Sequence, residues 1–185
     1  APNAMIGWVP FLMGPNFTLE KESGVSAFTH ILRSESTGSI HIASADAARS
    51  PAISFNFLSA QLDRDVTLEA TQLLRNIMKA PPLEGIVTKE LTPGPDIASA
   101  EEVLDWVRRT AETTYHPVGT CKMGNDPMAV VDDQLRVHGM EGLRVADASI
   151  MPTLTSGNTN APSIMIGEKA SQMVLEAARG EAMAA

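Results

Sequence analysis

The segment Tyr115-His116-Pro117-Val118-Gly119-Thr120 sets a histidine directly after a predicted helix and directly before a proline. Proline disfavours the helical conformation in the residue preceding it, so His116 is expected to be extended. Gly119 lets another group approach the backbone closely. A histidine held on such a loop suits a general base, because imidazole exchanges its proton near neutral pH. The same spacing fits a solvent-facing loop histidine with no chemistry, and from the residues alone both readings stand.

A second constellation, Ser156-Gly157-Asn158-Thr159-Asn160-Ala161-Pro162, leads into the last apolar-periodic stretch. A helix start exposes unpaired amides and a partial positive charge, which favour an anion or an electron-rich ring edge. Asn158 or Asn160 could donate a side-chain hydrogen bond beside it. Equally, an asparagine here could simply cap the helix, and Asn160, nearest to it, is the one expected to do so. The chain has no Gly-x-Gly-x-x-Gly, no phosphate-loop lysine motif, no His-Glu-x-x-His, no Cys-x-x-Cys and no Gly-x-Ser-x-Gly. A hydrolase or a nucleoside-triphosphate enzyme therefore has nothing to stand on, and no metal site is expected.

The elements that must position these residues can be read from periodicity. Residues 28–34 and 39–44 alternate on either side of Glu35-Ser36-Thr37-Gly38, which predicts a β-hairpin, with 53–58 as a third strand. The Pro- and Gly-rich stretch before Gly24 reads as loop. Leu62, Val66, Ala70, Leu73 and Ile77 form one face of a predicted helix, with Asp63, Arg64 and Glu69 between them, and Pro81-Pro82 ends it. A second helix begins at Ser99, whose spacing to Glu102 is that of a capping box; Val103, Leu104, Trp106 and Val107 supply its apolar face. Residues 135–138 and 143–146 read as short strands joined through Gly139 and Gly142, 148–160 as coil. A last helix runs from Ala161 or Pro162 to about Ala178, since proline is tolerated in a first turn. His30 and His41 are expected on or near the hairpin surface, and Trp8 and Trp106 in the core. Cys121 reads as an inert thiol.

The chain has 185 residues, 44 % of them hydrophobic and 19 % charged, a globular balance. Its net charge of -8 argues against a nucleic-acid partner, which needs clustered Lys and Arg. One cysteine rules out an intrachain disulfide and fits a reducing compartment, and no run approaches the roughly 18 apolar residues of a membrane span. A cytoplasmic location is expected, with peripheral membrane association left open. The chain opens without Met and in mid-pattern, which reads as a cut through a longer protein, although N-terminal processing would look the same.

Three ordered motifs carry a resemblance. His116-Pro117-Val118-Gly119-Thr120, then Gly142-Leu143-Arg144-Val145-Ala146-Asp147-Ala148-Ser149-Ile150-Met151-Pro152, then Gly157-Asn158-Thr159-Asn160-Ala161-Pro162 are similar to the C-terminal signature of the glucose–methanol–choline (GMC) flavoprotein oxidoreductases. The likeness extends from roughly Phe28 to Arg179. It implies that His116 is the catalytic histidine that takes the hydroxyl proton as a hydride leaves an alcohol for FAD. It implies that Asn158 hydrogen-bonds the substrate oxygen, that Asp147 and Ala148 lie against FAD, and that Asn160, Ala161 and Pro162 begin the helix facing the flavin ring.

The expected architecture is therefore α+β. Residues 1–114 would form part of a substrate domain, an antiparallel sheet flanked by helices; 115–185 would be the catalytic loop and the return of the chain into an FAD-binding α/β domain, adding a strand and the C-terminal helix. The family's dinucleotide fingerprint is missing, so this chain alone is expected to hold FAD weakly or not at all and to be inactive by itself. The substrate would be a small alcohol, choline-like or another primary alcohol. Apolar surface around Val145 and residues 164–166 would be open to a homodimer. A non-catalytic interaction module derived from such an enzyme is the alternative.

Overall fold

One residue expected to face solvent on the first helix is buried instead. Asp63 lies in the first turn of α1 (Gln61–Met78) and is only 1 % exposed. Its carboxylate accepts from the Ser34 hydroxyl at 2.5 Å and from the amides of Glu35 and Ser36 at 2.9 Å each. The Ser36 hydroxyl in turn accepts from the Ala60 amide at 3.1 Å, just before the helix. The segment read as a hairpin turn thus has its backbone donors gathered by a carboxylate from α1. The inward face of α1 is Asp63, Val66 and Ala70, whereas Leu62 and Leu73, placed on the apolar face by periodicity, are exposed.

The strand pairing follows from that capture. The computed structural model describes residues 2–14 and 18–184. In it β1 (Ala4–Val9) pairs antiparallel with β2 (Ser26–Ile31), Gly7 opposite Phe28, so part of the stretch read as loop is a strand. The expected hairpin between 28–34 and 39–44 does not form. Instead β3 (Ser39–His41) pairs antiparallel with β4 (Ala52–Ser54), and the single expected sheet is two sheets of two strands. Gly38 serves this second pair: a Cβ there would lie 2.1 Å from the Ser54 carbonyl oxygen. β4 ends short of residue 58 because Asn56 and Leu58 turn into the left-handed region. Trp8 is 49 % exposed rather than in the core, and His30 is half-buried and stacked with Phe28 at 6.5 Å.

The chain forms two compact units, one up to Thr37 together with Asn56–Thr114, the other Gly38–Phe55 together with the residues from Tyr115 onward. In the first, α1 packs on β1 and β2, and α2 (Ala100–Thr110) packs on α1. The capping box predicted for α2 is present: Ser99 accepts from the Glu102 amide and Glu102 accepts from the Ser99 amide at 2.9 Å. Arg75, near the end of α1, donates to Glu90 and to the carbonyls of Gly94 and Ile97.

In the second unit the core is Val131, Leu135, Ile150, Met151, Ile166 and Ala170, with Val118 and Val145 packed against it. Ile166 and Ala170 stand one turn apart on α3 (Asn160–Ala184), which starts earlier and ends later than its periodicity suggested. Ile166 and Val145, expected at an open apolar surface, therefore belong to the core, while Ile164 and Met165 are exposed. The two predicted strands after residue 135 reduce to isolated bridges, Arg136 with Arg144 between them and Val137 with Val131. The cause is Leu135, buried but left-handed at φ 62°, a conformation that interrupts a strand. Asp132 holds that turn: its Oδ1 accepts from the amides of Gln134 and Arg136 at 2.9 and 2.8 Å. Among the described residues no helix is long and apolar enough to cross a membrane.

Burial by itself pushes the Asp63 carboxyl upward, but the hydrogen bonds from Ser34, Ser36 and Glu35 outweigh it and hold its pKa below the usual carboxylate range. A carboxyl lowered by folding adds stability above its unfolded pKa and loses it as pH falls through the folded value. Asp63→Asn should cost about 2 kcal/mol near neutral pH, because an amide cannot satisfy the same donors. It should also flatten the loss of stability below about pH 4. Urea denaturation at neutral and acid pH measures both, and equal midpoints for variant and parent near neutrality would show that the network carries no stability.

Candidate active site

His116 follows Tyr115, a non-glycine residue in the left-handed region at φ 61°, and precedes Pro117 and then Gly119 at φ 88°. Two reversals of backbone sense within five residues make a tight loop. Val118 anchors it in the core, and downstream the Cys121 and Met123 amides donate to the carbonyls of Ser149 and Ile150 at 3.0 and 2.8 Å. The loop is thereby fixed along the segment that includes Ala148 and Ser149.

The His116 ring is half-buried and meets the start of α3. Its Nδ1 lies 2.9 Å from the Thr159 hydroxyl, and the Thr159 amide hydrogen points to the same nitrogen from 3.4 Å. Thr159 is itself 7 % exposed. The two constellations found in sequence, 43 residues apart, are thus joined by a direct hydrogen bond.

The joining residue is not among those singled out from sequence. Thr159, rather than Asn160, holds the cap position: its carbonyl accepts the first bond of the helix from the Ser163 amide at 2.9 Å, and Asn160 is already helical. A cap hydroxyl usually accepts from the second or third amide of the helix. The third residue here is Pro162, which has no N–H. One customary partner of the Thr159 hydroxyl is missing, and that hydroxyl is turned to His116. A threonine three residues before a proline at a helix start is the signal that could have found it.

Asn158 and Asn160 flank Thr159 in the chain, and both are exposed. Ala161 is exposed and Pro162 half-buried in the first turn of α3. Asp147 caps a 3-10 turn over Ala148–Ile150, its Oδ1 accepting from the Ser149 amide at 2.7 Å, and that turn packs on α3. Among the described residues no hydrogen bond links Asp147 or Ala148 to His116. His138 Nε2 lies 3.0 Å from the Gly124 carbonyl oxygen, a contact within the fold. Among the described residues no three His, Cys, Asp or Glu side chains are grouped to hold a metal.

A His-Pro loop clasped to the cap of a C-terminal helix, on an α+β frame, defines a class. The family model for GMC oxidoreductases, in its C-terminal form, matches residues 34–167, and the chain belongs to that family. It is 45 % identical over 169 residues to the oxygen-dependent choline dehydrogenase of Cronobacter sakazakii, which covers 91 % of this chain and 30 % of that protein. The oxygen-dependent choline dehydrogenase of Escherichia coli is 44 % identical over 94 % of the chain and 31 % of its own length. The chain thus spans about a third of the length of these relatives. Among solved structures, pyridoxine 4-oxidase from Mesorbium loti superposes with a TM-score of 0.84 at 33 % identity, over 92 % of this chain and 34 % of that one. Formate oxidase from Aspergillus oryzae superposes with a TM-score of 0.82 at 25 % identity, over 94 % of this chain and 31 % of that one.

The loop makes a definite demand on Gly119. Its φ of 88° disfavours any side chain, and a Cβ would lie 3.4 Å from the Met151 carbonyl oxygen. Gly119→Ala should therefore destabilise the protein by about 1–2 kcal/mol. Thermal or urea unfolding would show it, and an unchanged midpoint would mean that the loop relaxes without the left-handed residue.

Proposed function

We propose that this chain forms the C-terminal part of an FAD-dependent oxidoreductase that takes a hydride from the CH–OH carbon of a small alcohol, choline-like in view of its relatives' names. The observation that carries the reading is the His116–Thr159 contact. It joins His116 to Thr159, which stands at a helix start and has two exposed asparagines as its chain neighbours.

FAD fits the residues at one end only. The first turn of α3 offers amides of Asn160 and Ala161 with no earlier carbonyl to satisfy them, and the helix adds a partial positive charge. That is a suitable neighbour for an electron-rich ring that becomes more negative on reduction. Asp147 and Ala148, on the turn packed against α3, would line the same group. The chain has no glycine-rich turn to grip a pyrophosphate, so the remainder of FAD would be held elsewhere. FAD, when bound, supplies the acceptor for two electrons.

The chain's own residues have the other half of the problem. An alcohol holds its proton too tightly at neutral pH for hydride to leave unaided. With Nδ1 engaged by Thr159, proton exchange at His116 falls to Nε2, which takes the hydroxyl proton as negative charge develops on oxygen. Asn158 donates an amide hydrogen to that oxygen, where the charge appears.

Two measurements test this. Titration of the 185-residue chain with FAD, followed by flavin fluorescence, should show no saturable binding; stoichiometric binding would refute the view that the main grip on FAD lies outside these residues. For catalysis, this chain can replace the corresponding C-terminal third of the Escherichia coli relative. The chimera should reduce its flavin with choline, and His116→Ala should lower kcat/KM by roughly 10²–10⁴-fold. A chimera that binds FAD but reduces it equally well without His116 would remove the proposed base. One that holds FAD and fails with every small alcohol would favour a non-catalytic module.

A further inference from the structure

We propose that Thr159 is a positioning residue for His116, whose hydroxyl accepts the Nδ1 hydrogen and so keeps the lone pair of the ring on Nε2. This rests on the general-base reading of His116 given above. For Nε2 to receive a proton, Nδ1 must carry the hydrogen of the neutral ring, and that hydrogen needs an acceptor. Among the described residues the oxygen at Nδ1 is Thr159 Oγ1, at 2.9 Å. The Thr159 amide pulls the other way, since an N–H can only donate and so favours a bare Nδ1. Its 3.4 Å separation is at the limit of a hydrogen bond, whereas 2.9 Å is an ordinary length. The hydroxyl takes either role, and in the proposed tautomer it accepts the Nδ1 hydrogen at 2.9 Å.

The arrangement is built rather than incidental. Thr159 is buried, its carbonyl is committed to the Ser163 amide and hydroxyl at 2.9 and 2.7 Å, and its backbone is fixed as the cap of α3. Pro162 removes one amide that a cap hydroxyl would otherwise accept from, leaving Oγ1 available to the ring. The chemistry gains from this in one direction. Taking the alcohol O–H proton at Nε2 would make the ring an imidazolium, with FAD, when bound, supplying the acceptor for the hydride. The Nδ1–H to Oγ1 bond is then charge-assisted, hence stronger in the transition state than before it.

The test reads the ring directly. In the chain with 15N-labelled histidine, the two ring nitrogens of neutral His116 should give the signature of the Nδ1–H form. Thr159→Val should shift the pair toward the Nε2–H form, and Thr159→Ser should restore the parent pattern. A parent already in the Nε2–H form overturns the proposal, as does a folded valine variant with an unchanged pattern; if the valine variant fails to fold, the parent spectrum and the serine variant still decide it. In the chimera, Thr159→Val should lower kcat roughly 10–100-fold at little change in KM, a part of what a general base contributes. An Nδ1–H tautomer that depends on Thr159, found together with full activity of His116→Ala, would leave the positioning intact and remove only the base.

Discussion

The unit that carries the site closes on a narrow stripe of α3, Ile166 and Ala170, packed against Val131, Leu135, Ile150 and Met151. Every functional placement follows from that packing. With α3 fixed by its apolar stripe, its first residue is fixed as well, and so is the cap residue before it. With Ile150 and Met151 in the core, the 3-10 turn Ala148–Ile150, capped by Asp147, is brought against the helix. The His-Pro loop is then tied along the same segment by the amides of Cys121 and Met123 and by Val118. An apolar contact sets the coarse position, and hydrogen bonds refine it.

Polar groups are buried in this chain where they organise backbone. Asp63 gathers the donors of residues 34–36, and Thr159 receives the ring of His116; these are the buried polar residues among those described. Each stands at the beginning of a helix, where backbone position is best defined and free amides make polar company favourable. Asp132, more exposed, does the same for the turn at Leu135: burial pushes its carboxyl up, but bonds from Arg136 and Gln134 hold it below the usual range. A left-handed leucine can thereby enter the core.

Much of the fold was legible. The three helices are present, and the Ser99–Glu102 capping box is closed as its spacing required, because capping is a matter of four consecutive residues. β2, β3 and β4 were legible as strands but not as partners, and β1 was read as loop: Ser26–Ile31 pairs with Ala4–Val9, and Ser39–His41 with Ala52–Ser54. Alternation says that a segment can pair; the partner depends on what else claims the residues between. Here Asp63, distant in sequence, claims the would-be turn. The face of α1 was misread for the same reason, since a carboxylate with three donors can be buried as readily as a leucine.

The sequence by itself pointed to the family and to the order of its three motifs, because those depend on residue type and local spacing. It also determined where helices begin and end to within a turn or so at their starts, since caps and prolines act locally. Only the tertiary structure decided that His116 meets α3 through Thr159, that the cap is Thr159 and not Asn160, and that Ile166 is core while Ile164 is surface. These depend on contacts between residues tens of positions apart, and a chain's local preferences carry no record of which distant group will arrive.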